Sequence, residues 1–369
     1  MVRKKPQLLP VNKRIERIQK ELKKRSLDAI LISSSSHIAY LTGYGGFSDI
    51  EREAFMFISL QNALLFTDRR YLGALAHVKP TISLKEISLK NPLSKHVGGI
   101  LRSLNAQRVG IEKEHVTVEE YENLNLSSVA IPHSILADLR QIKTKEEIAL
   151  LQKACDLTDK AYARLLSYVK PGISEKELAA KLEYWIKKQG ADVAFPPIIA
   201  FGKNSATPHH KTGDQRLAIK DHVLIDFGVR YQLYCSDMTR VVFVGKPSDE
   251  QKRMYQTVHD AGQKALDFLS SDHQSVQASR VDDVARRYII SKGYPSIPHS
   301  LGHGVGIEVH ESPRISPVSK DILKQGMVFT IEPGIYDRKL GGVRIEDVVV
   351  LEKKGPRLLT HSPKSLTIL

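Results

Sequence analysis

Cysteine and long apolar runs are scarce in this sequence. The 369 residues contain two cysteines, Cys155 and Cys235, too few for the disulfide framework of a small secreted protein. No apolar run approaches the roughly 18 residues that a membrane-spanning helix needs. The basic start contains Pro6 and Pro10 instead of an apolar segment with a cleavage site, so no secretory signal is predicted. We therefore expect a cytoplasmic protein with no membrane partner.

The length and the 41% hydrophobic content allow a large core and two domains. The formal net charge is +14, and residues 1–25 supply more than half of the excess, with ten Lys or Arg against two Glu. Ile15, Ile18 and Leu22 have helical spacing within this stretch, which predicts a docked amphipathic helix over residues 13–25. No zinc-finger spacing, RNA-binding motif or aromatic-interleaved basic patch accompanies the charge, so nucleic-acid binding is not expected.

Strand and helix patterns alternate in the first part of the chain. A helix is predicted to begin near Tyr71, and a capping-box spacing at Thr117–Glu120 predicts another. The predicted strands are Ala29–Ile32, Ala54–Leu60, Ala63–Thr67 and Val109–Glu112. Residues 1–137 are therefore predicted to form a smaller α/β domain.

The remainder of the chain shows two helices followed by strands, and then the same order again. Capping boxes at Thr144–Glu147 and Ser174–Glu177 open the first two helices. Ser248–Gln251 opens a third, and Val281–Ser291 is predicted to be a fourth. Residues 138–369 are thus predicted to form an α+β domain with a pseudo-twofold repeat and a shared site between its halves.

Two acids follow and precede strand patterns near the middle of this domain. Asp226 follows the apolar run Val223–Ile225, and Asp237 precedes the run Met238–Val244. Adjacent antiparallel strands would bring the two carboxylates together. Such a pair is stable when buried only if a cation lies between the acids or one of them binds a proton. The pair alone is equally compatible with two unrelated turn acids.

Three further residues extend this pair. His303 lies among glycines, which indicates a backbone that approaches a ligand closely. Glu332 ends one apolar strand pattern, and Glu346 lies inside another. Together with Asp226 and Asp237 they supply four carboxylates and one imidazole, a set that suits two divalent cations. Oxygen-rich ligation with one nitrogen favours Mn²⁺, Fe²⁺ or Co²⁺ over a structural zinc ion.

In this order, Asp, Asp, His, Glu and Glu resemble the ligand set of the metal-dependent peptidases with the pita-bread fold. The whole chain resembles their Xaa-Pro aminopeptidase and Xaa-Pro dipeptidase branch. The amino-terminal region is similar to the creatinase-type domain of that branch. The motifs that carry this second resemblance are Asp28–Ile32, Tyr40–Gly43 and Thr67–Tyr71.

The resemblance implies a role for each ligand. Asp226 would chelate one metal ion, Asp237 and Glu346 would bridge both ions, and His303 and Glu332 would bind the other. The cofactor would be two divalent ions, with Mn²⁺ expected first and Co²⁺, Fe²⁺ or Zn²⁺ as alternatives. The resemblance also implies a homodimer.

The resemblance further implies two substrate-side histidines. His209 lies in the motif Asn204–His209 and would hold the substrate. His310 lies in the motif His310–Pro313 and would stabilise the tetrahedral oxyanion. His210 departs from the family, which more often has an aromatic residue there, and it is expected only to flank the site. Arg344 is predicted to orient the ligand acids, and Glu332 to move a proton from the attacking water to the leaving nitrogen.

The expected activity is that of a metalloaminopeptidase, a hydrolase that cleaves the Xaa-Pro bond at the amino terminus of peptides. The alternative is an Xaa-Pro dipeptidase, which needs a positive group such as Arg314 for the free carboxylate. The aminopeptidase is preferred because the segment 314–325 is short and lacks the longer insertion that is associated with many dedicated dipeptidases. A non-catalytic peptide-binding member of the fold is the minor alternative, although no ligand is missing.

Overall fold

A computed structural model of the chain describes residues 9–48, 50–124, 129–130, 135–271 and 275–369. The chain divides into two compact units, Gln7–Arg140 and Gln141–Leu369. The domain boundary after residue 137 stays a prediction. Arg3, Lys4 and Lys5 of the basic start lie outside the described residues. Within the described ranges, none of the helices combines the length and apolar character required to cross a membrane.

The amino-terminal unit is an α/β structure. Its helix α1 has Ile15, Ile18 and Leu22 buried, which confirms the predicted amphipathic helix. Its helices are α1 Val11–Lys24, α2 Ser35–Thr42, α3 Leu93–Leu104, α4 Val118–Leu124 and α5 Ile135–Gln141. Its strands are β1 Ala29–Ile32, β2 Ala54–Ser59, β3 Ala63–Thr67, β4 Ser83–Glu86, β5 Val109–Ile111 and β6 Val129–Ala130.

Among the described residues, the six strands of this unit form one mixed sheet in the order β4-β3-β2-β1-β5-β6. The central strand β1 pairs antiparallel with β2 and parallel with β5. Thr117 and Glu120 exchange the two hydrogen bonds of a capping box at the start of α4, as predicted. The helix predicted to begin near Tyr71 is wrong, because the chain there forms turns followed by a short 3₁₀ helix, Ala76–Val78.

The second unit begins with two capped helices. Both predicted capping boxes, at Thr144 and at Ser174, have their two reciprocal hydrogen bonds. The helices of the unit are α6 Lys145–Leu166, α7 Glu175–Lys188, α8 Asp249–Ser271 and α9 Ala278–Ser291. The strands of its first half are β7 Asp192–Val193, β8 Ile198–Phe201, β9 His222–Phe227, β10 Val229–Tyr231, β11 Tyr234–Cys235 and β12 Met238–Phe243.

The second half of this unit repeats the pattern after α8 and α9. Its strands are β13 Gly302–Gly304, β14 Glu311–Ile315, β15 Val328–Ile331, β16 Gly334–Asp337, β17 Gly341–Arg344, β18 Asp347–Glu352, β19 Gly355–Leu358 and β20 Thr367–Ile368. Within the described residues, the larger sheets have the orders β20-β12-β9-β8 and β14-β13-β15-β18-β19. The predicted order of helices and strands, repeated twice, is therefore confirmed.

Strand alternation decides where the two sheets face each other. Val223, Ile225 and Phe227 of β9 pack in a core cluster with α6 and α7. Leu224 belongs instead to the cluster that contains α8, α9 and the second large sheet. Because successive side chains of a strand point to opposite faces, Asp226 shares the face of Leu224. That face is the one directed toward the second half of the unit.

Candidate metal centre

The first two candidate ligands lie on one antiparallel strand pair. β9 and β12 pair with Asp226 opposite Thr239 and Phe227 opposite Met238, and Asp237 directly precedes β12. This is the arrangement predicted from the apolar runs. Gly228 permits the tight return between the strands, because a Cβ atom there would overlap the carbonyl oxygen of Ser236.

The other three candidate ligands come from the second half of the unit. His303 lies in β13, Glu332 directly follows β15, and Glu346 lies between β17 and β18. A Cβ atom at Gly302 would overlap the carbonyl of Thr330, and one at Gly304 would overlap that of Ser312. The glycines beside His303 thus serve close packing between strands, whereas the sequence analysis attributed them to the approach of a ligand.

Three of the five side chains converge on one point. Asp237, His303 and Glu346 each offer a ligand atom, and these atoms all lie within 4.8 Å of one another. His303 Nε2 also lies 3.2 Å from Oε1 of Glu332 and 3.7 Å from Oδ2 of Asp237. Asp226 instead contacts the guanidinium of Arg344. The structure thus joins four candidates directly and the fifth through Arg344.

The acids of the cluster are buried and close together, and both conditions raise the pKa values of three of them. Burial, followed by the charges of Glu346 and Asp226, raises the pKa of Asp237 well above its ordinary value. Burial and the charge of Glu332 raise the pKa of Glu346 to about 8. Burial also raises the pKa of Asp226, although Arg344 opposes it. A cation among these oxygens would relieve the repulsion that produces these shifts.

His303 and Glu332 are shifted in the opposite sense. Burial alone would raise the pKa of Glu332, but the hydrogen bond and charge of His303 hold it below its ordinary value. Burial likewise opposes the charge of His303, yet Glu332 raises the pKa of that imidazole. The side-chain oxygens are hard donors, and together with one imidazole they fit a divalent cation.

Arg344 connects two of the candidate ligand acids. This buried residue contacts Asp226, and its Nε donates to Oγ1 of Thr239 over 3.1 Å. The Thr239 hydroxyl in turn donates to Oε2 of Glu346 over 2.6 Å. Arg344 Nη1 also donates to the hydroxyl of Tyr336 over 2.8 Å. One side chain therefore fixes two of the acids, one directly and one through a hydroxyl.

The two predicted substrate-side histidines lie near the cluster. The His310 ring lies edge-on to that of His303, with 4.3 Å between the centroids. Burial and the charge of His303 lower the pKa of His310. His209 is exposed in a turn after the 3₁₀ helix Gly202–Ala206, and its charge contributes to the pKa values of Asp226 and His310. His210 bonds to a buried glutamate, Glu175.

Two further residues border the cluster and were not predicted from the sequence, His299 and Tyr336. His299 Nε2 lies 2.8 Å from the Tyr336 hydroxyl, and its Nδ1 lies 3.9 Å from Oε2 of Glu332. Burial lowers the pKa of His299. The only sequence signal for these two residues is their closeness to candidate ligands. His299 lies shortly before His303, and Tyr336 lies shortly after Glu332.

Two family models match the chain. The model of metallopeptidase family M24 matches residues 149–353, and the model of the creatinase/prolidase N-terminal domain matches residues 14–142. The Xaa-Pro dipeptidase of Pyrococcus horikoshii is 36% identical over 361 residues, which cover 96% of this chain and 99% of that protein.

Solved structures give the same picture over the same length. The structure of the Xaa-Pro dipeptidase from Bacillus anthracis has a TM-score of 0.89 at 33% identity, covering 97% of this chain and 100% of that one. The structure of the X-Pro aminopeptidase from Thermotoga maritima has a TM-score of 0.87 at 33% identity, covering 96% and 99%. The likeness therefore extends over both units and not only over the candidate metal centre.

Proposed function

Because the chain belongs to metallopeptidase family M24, we propose that it is an Xaa-Pro dipeptidase, which hydrolyses the bond before proline in dipeptides. The predicted fold, a creatinase-type amino-terminal domain followed by a pita-bread domain, is confirmed by both family models. The observation that carries the proposal is the convergence of Asp237, His303 and Glu346 within 4.8 Å. We propose that these residues, with Asp226 and Glu332, hold two divalent cations, Mn²⁺ first among them.

The choice of dipeptidase over aminopeptidase reverses the preference of the sequence analysis. That preference rested on the short segment 314–325. The Xaa-Pro dipeptidase of P. horikoshii aligns with this chain over 361 residues and 99% of its own length, so it has no long insertion and the short segment does not separate the two activities. The T. maritima X-Pro aminopeptidase, similar at the same level, keeps the aminopeptidase as the second candidate.

Arg314 gives the dipeptidase proposal a structural argument. In the pairing of β13 with β14, Arg314 lies directly opposite His303. Opposite residues of an antiparallel pair project to the same face of the sheet, so Arg314 projects to the face of His303. Its Nε donates to the hydroxyl of Ser300 over 2.9 Å, which leaves other N–H groups of the guanidinium for a ligand. A guanidinium at this place suits the free carboxylate of a dipeptide.

Glu332 would carry the proton transfers of the proposed hydrolysis. Bound divalent cations would supply Lewis acidity and a water of lowered pKa. Glu332, whose pKa is lowered despite burial, is ionised near neutral pH and would accept the proton of the attacking water. It would return that proton to the proline nitrogen as the C–N bond breaks. The products are then the free amino acid and proline.

His310 and His209 would act on the substrate. The lowered pKa of His310 keeps its imidazole neutral near pH 7, and the one N–H of the neutral ring would donate a hydrogen bond to the developing oxyanion. His209 lies exposed at the border of the cluster, where it would contact the residue after the scissile bond. Proline offers no N–H at that bond, so such contacts must replace the missing donor.

The first experiment compares Ala-Pro, Ala-Pro-Ala and Ala-Ala-Ala as substrates of chelated enzyme resupplied with Mn²⁺, Co²⁺ or Zn²⁺. We expect metal-dependent hydrolysis of Ala-Pro alone. Release of alanine from Ala-Pro-Ala would instead establish the aminopeptidase. If none of the three substrates is hydrolysed although metal is bound, the result would favour the non-catalytic peptide-binding member of the fold.

A second experiment tests Arg314. We expect Arg314→Gln to lower kcat/KM for Ala-Pro by about ten- to a hundredfold, since it removes a charge-assisted hydrogen bond. Hydrolysis of Ala-Pro-amide, which lacks the carboxylate, should be unaffected. Lys320→Gln, at an exposed cation of the same unit, is the matched control. Equal losses on both substrates would argue against carboxylate capture.

We also propose that the protein is a homodimer, as the resemblance implies. Light scattering coupled to size-exclusion chromatography would give the molar mass in solution. A mass equal to the 41.4 kDa of one chain would overturn this part of the proposal.

A further inference from the structure

A cavity of about 770 Å³, open to solvent, lies beside α7 in the second unit. Three aromatic residues line it: Tyr168, which follows α6, and Tyr184 and Trp185 of α7. None of the five candidate metal ligands belongs to its lining. Trp185 is the single tryptophan of the sequence. The cavity is therefore a separate feature with its own spectroscopic reporter.

The cavity is also lined by cations. Lys170, Lys181 and Arg216 contribute to its wall, and Glu177 is the carboxylate among the lining residues. Glu177 is already engaged, since its Oε2 accepts a hydrogen bond of 2.7 Å from the backbone N–H of Ser174. It also lies 3.6 Å from Nη1 of Arg216 and partly offsets the charge of that residue. The wall thus carries a net positive charge.

Two cations, Arg164 and Lys181, lie over the aromatic rings of the cavity. The Arg164 guanidinium lies 5.1 Å from the Trp185 ring centroid and 5.5 Å from that of Tyr168. Lys181 Nζ lies 4.8 Å from the Tyr168 centroid. A hydrogen bond with Trp185, together with the charges of Arg164 and Lys181, lowers the pKa of Tyr168 in spite of some desolvation. The two cations therefore act on this ring, although the hydrogen bond with Trp185 is the larger cause of the shift.

Tyr184 differs from the other two aromatic residues. It is 63% exposed, so its ring offers a free face to a ligand. Tyr184 and Lys181 are three residues apart on α7, a spacing that puts them on the same side of the helix. A planar group stacked on Tyr184 would therefore lie beside the ammonium of Lys181.

We propose that this cavity binds a nucleotide unit, with its base stacked on Tyr184 and its phosphate bound among Lys181, Lys170 and Arg216. An exposed ring beside several cations matches a ligand that combines an aromatic base with a negative charge. An acidic peptide would satisfy the cations but leave the ring without a stacking partner. The nucleotide unit can be free or part of a single strand, and both sources present the same chemistry.

Nucleic-acid binding was not predicted from the sequence, because no basic patch interleaved with aromatic residues was found in it. The patch forms only in the folded unit, where the end of α6, one face of α7 and Arg216 come together. The proposal does not depend on the peptidase activity, because it rests on residues outside the candidate metal centre.

The test uses the emission of Trp185 in the full-length protein. Five ligands are titrated separately: AMP, a deoxyadenosine hexanucleotide, adenosine, inorganic phosphate and polyglutamate. N-acetyltryptophanamide in parallel titrations corrects for absorption by the base. We expect saturable quenching by AMP or by the hexanucleotide that weakens as salt is added. Adenosine and phosphate alone should bind at least tenfold more weakly.

Variants then locate the binding. We expect Tyr184→Ala to weaken binding by about fivefold or more, the range typical of losing a base-stacking ring. Lys181→Ala should weaken binding to a similar extent, because it removes a cation that binds the phosphate. Lys187→Ala removes an equal charge from an exposed position of α7 that does not line the cavity, and it should change affinity less than twofold. Unchanged thermal unfolding midpoints would show that the variants fold.

The outcomes separate the two sources of the ligand. Equal affinity for AMP and the hexanucleotide would identify a free nucleotide, and much tighter binding of the hexanucleotide would identify a single strand. Anisotropy of a labelled hexanucleotide repeats the measurement without relying on Trp185. The proposal is overturned by absence of binding in both assays, by polyglutamate binding as tightly as the nucleotides, or by Tyr184→Ala behaving like Lys187→Ala.

Discussion

Nε2 of His210 lies 2.8 Å from Oε2 of Glu175, a carboxylate with no exposed side-chain surface. The same oxygen accepts the backbone N–H of Gly213 over 2.8 Å. The other oxygen accepts the backbone N–H of Phe201 and the side-chain amide of Asn204. Glu175 therefore fixes both ends of the segment that carries His209. The residue that departs from the family pattern, His210, is one of the groups that it holds.

Glu175→Gln should destabilise the protein by about 1–3 kcal/mol and lower kcat/KM with metal content unchanged. The reason is that an amide NH₂ would face groups that themselves donate hydrogen bonds. Thermal unfolding and metal analysis of the purified variant would measure both effects. Glu177→Gln is the matched control, because Gln at this position preserves a capping box. Equal unfolding midpoints for the two variants would contradict the role of Glu175.

His209→Ala and His210→Ala should differ in kind. We expect His209→Ala to lower kcat/KM for Ala-Pro by about a hundred- to a thousandfold, as the loss of one positioned hydrogen-bond donor in an active site does, with stability almost unchanged. His210→Ala should mainly lower the unfolding midpoint, because it removes a partner of buried Glu175. Steady-state kinetics and calorimetry of both variants separate the effects. The reverse result would show that His210 faces the substrate.

Arg344→Lys should weaken metal binding by about 10- to 100-fold, the range found when a group that orients metal ligands is lost. Lysine cannot reproduce the fork that reaches Asp226, Thr239 and Tyr336 together. Titration of the chelated protein with Mn²⁺ would measure the affinity. Arg357→Lys, at an exposed ion pair with Glu352, should leave it unchanged. An unaltered affinity in the Arg344 variant would separate Arg344 from the ligand acids.

Metal binding should release protons at pH 7. The pKa of Glu346 is about 8 in the metal-free protein, so the carboxyl is mostly protonated there, and a cation must displace that proton. The raised pKa also means that this group destabilises the metal-free fold increasingly as pH rises from about 4.5 toward 8. Calorimetric titration at pH 7 in buffers of different ionisation enthalpy counts the protons. The count should fall markedly at pH 9, and no release at either pH would contradict the shift.

The sequence predicted the strands that carry the candidate ligands because apolar runs end next to unusual acids. β9 and β12 pair as the runs around Asp226 and Asp237 predict. The capping boxes were equally informative, since the side chains at Thr144 and Ser174 bond only to the next turn of chain. Contacts of this kind join residues that are close in sequence, so a short stretch of sequence is enough to predict them.

Contacts between distant segments were not predictable in the same way. His299 lies in the loop before β13 and Tyr336 lies in β16, so the two side chains meet only in the folded unit. The helix expected near Tyr71 fails because Asp68 caps a turn through the backbone N–H of Arg70, and Gly73 follows within it. The aromatic and basic residues around Trp185 come from the end of α6, from α7 and from Arg216, so they form one patch only once these segments pack.

The candidate ligands are divided between the two repeats of the second unit. Asp226 and Asp237 belong to the first repeat, whereas His303, Glu332 and Glu346 belong to the second. During synthesis on the ribosome, the first two acids therefore emerge long before their partners. While only the first repeat has been synthesised the ligand set is incomplete, so any folding of that half at this stage depends on its own residues and its two capped helices.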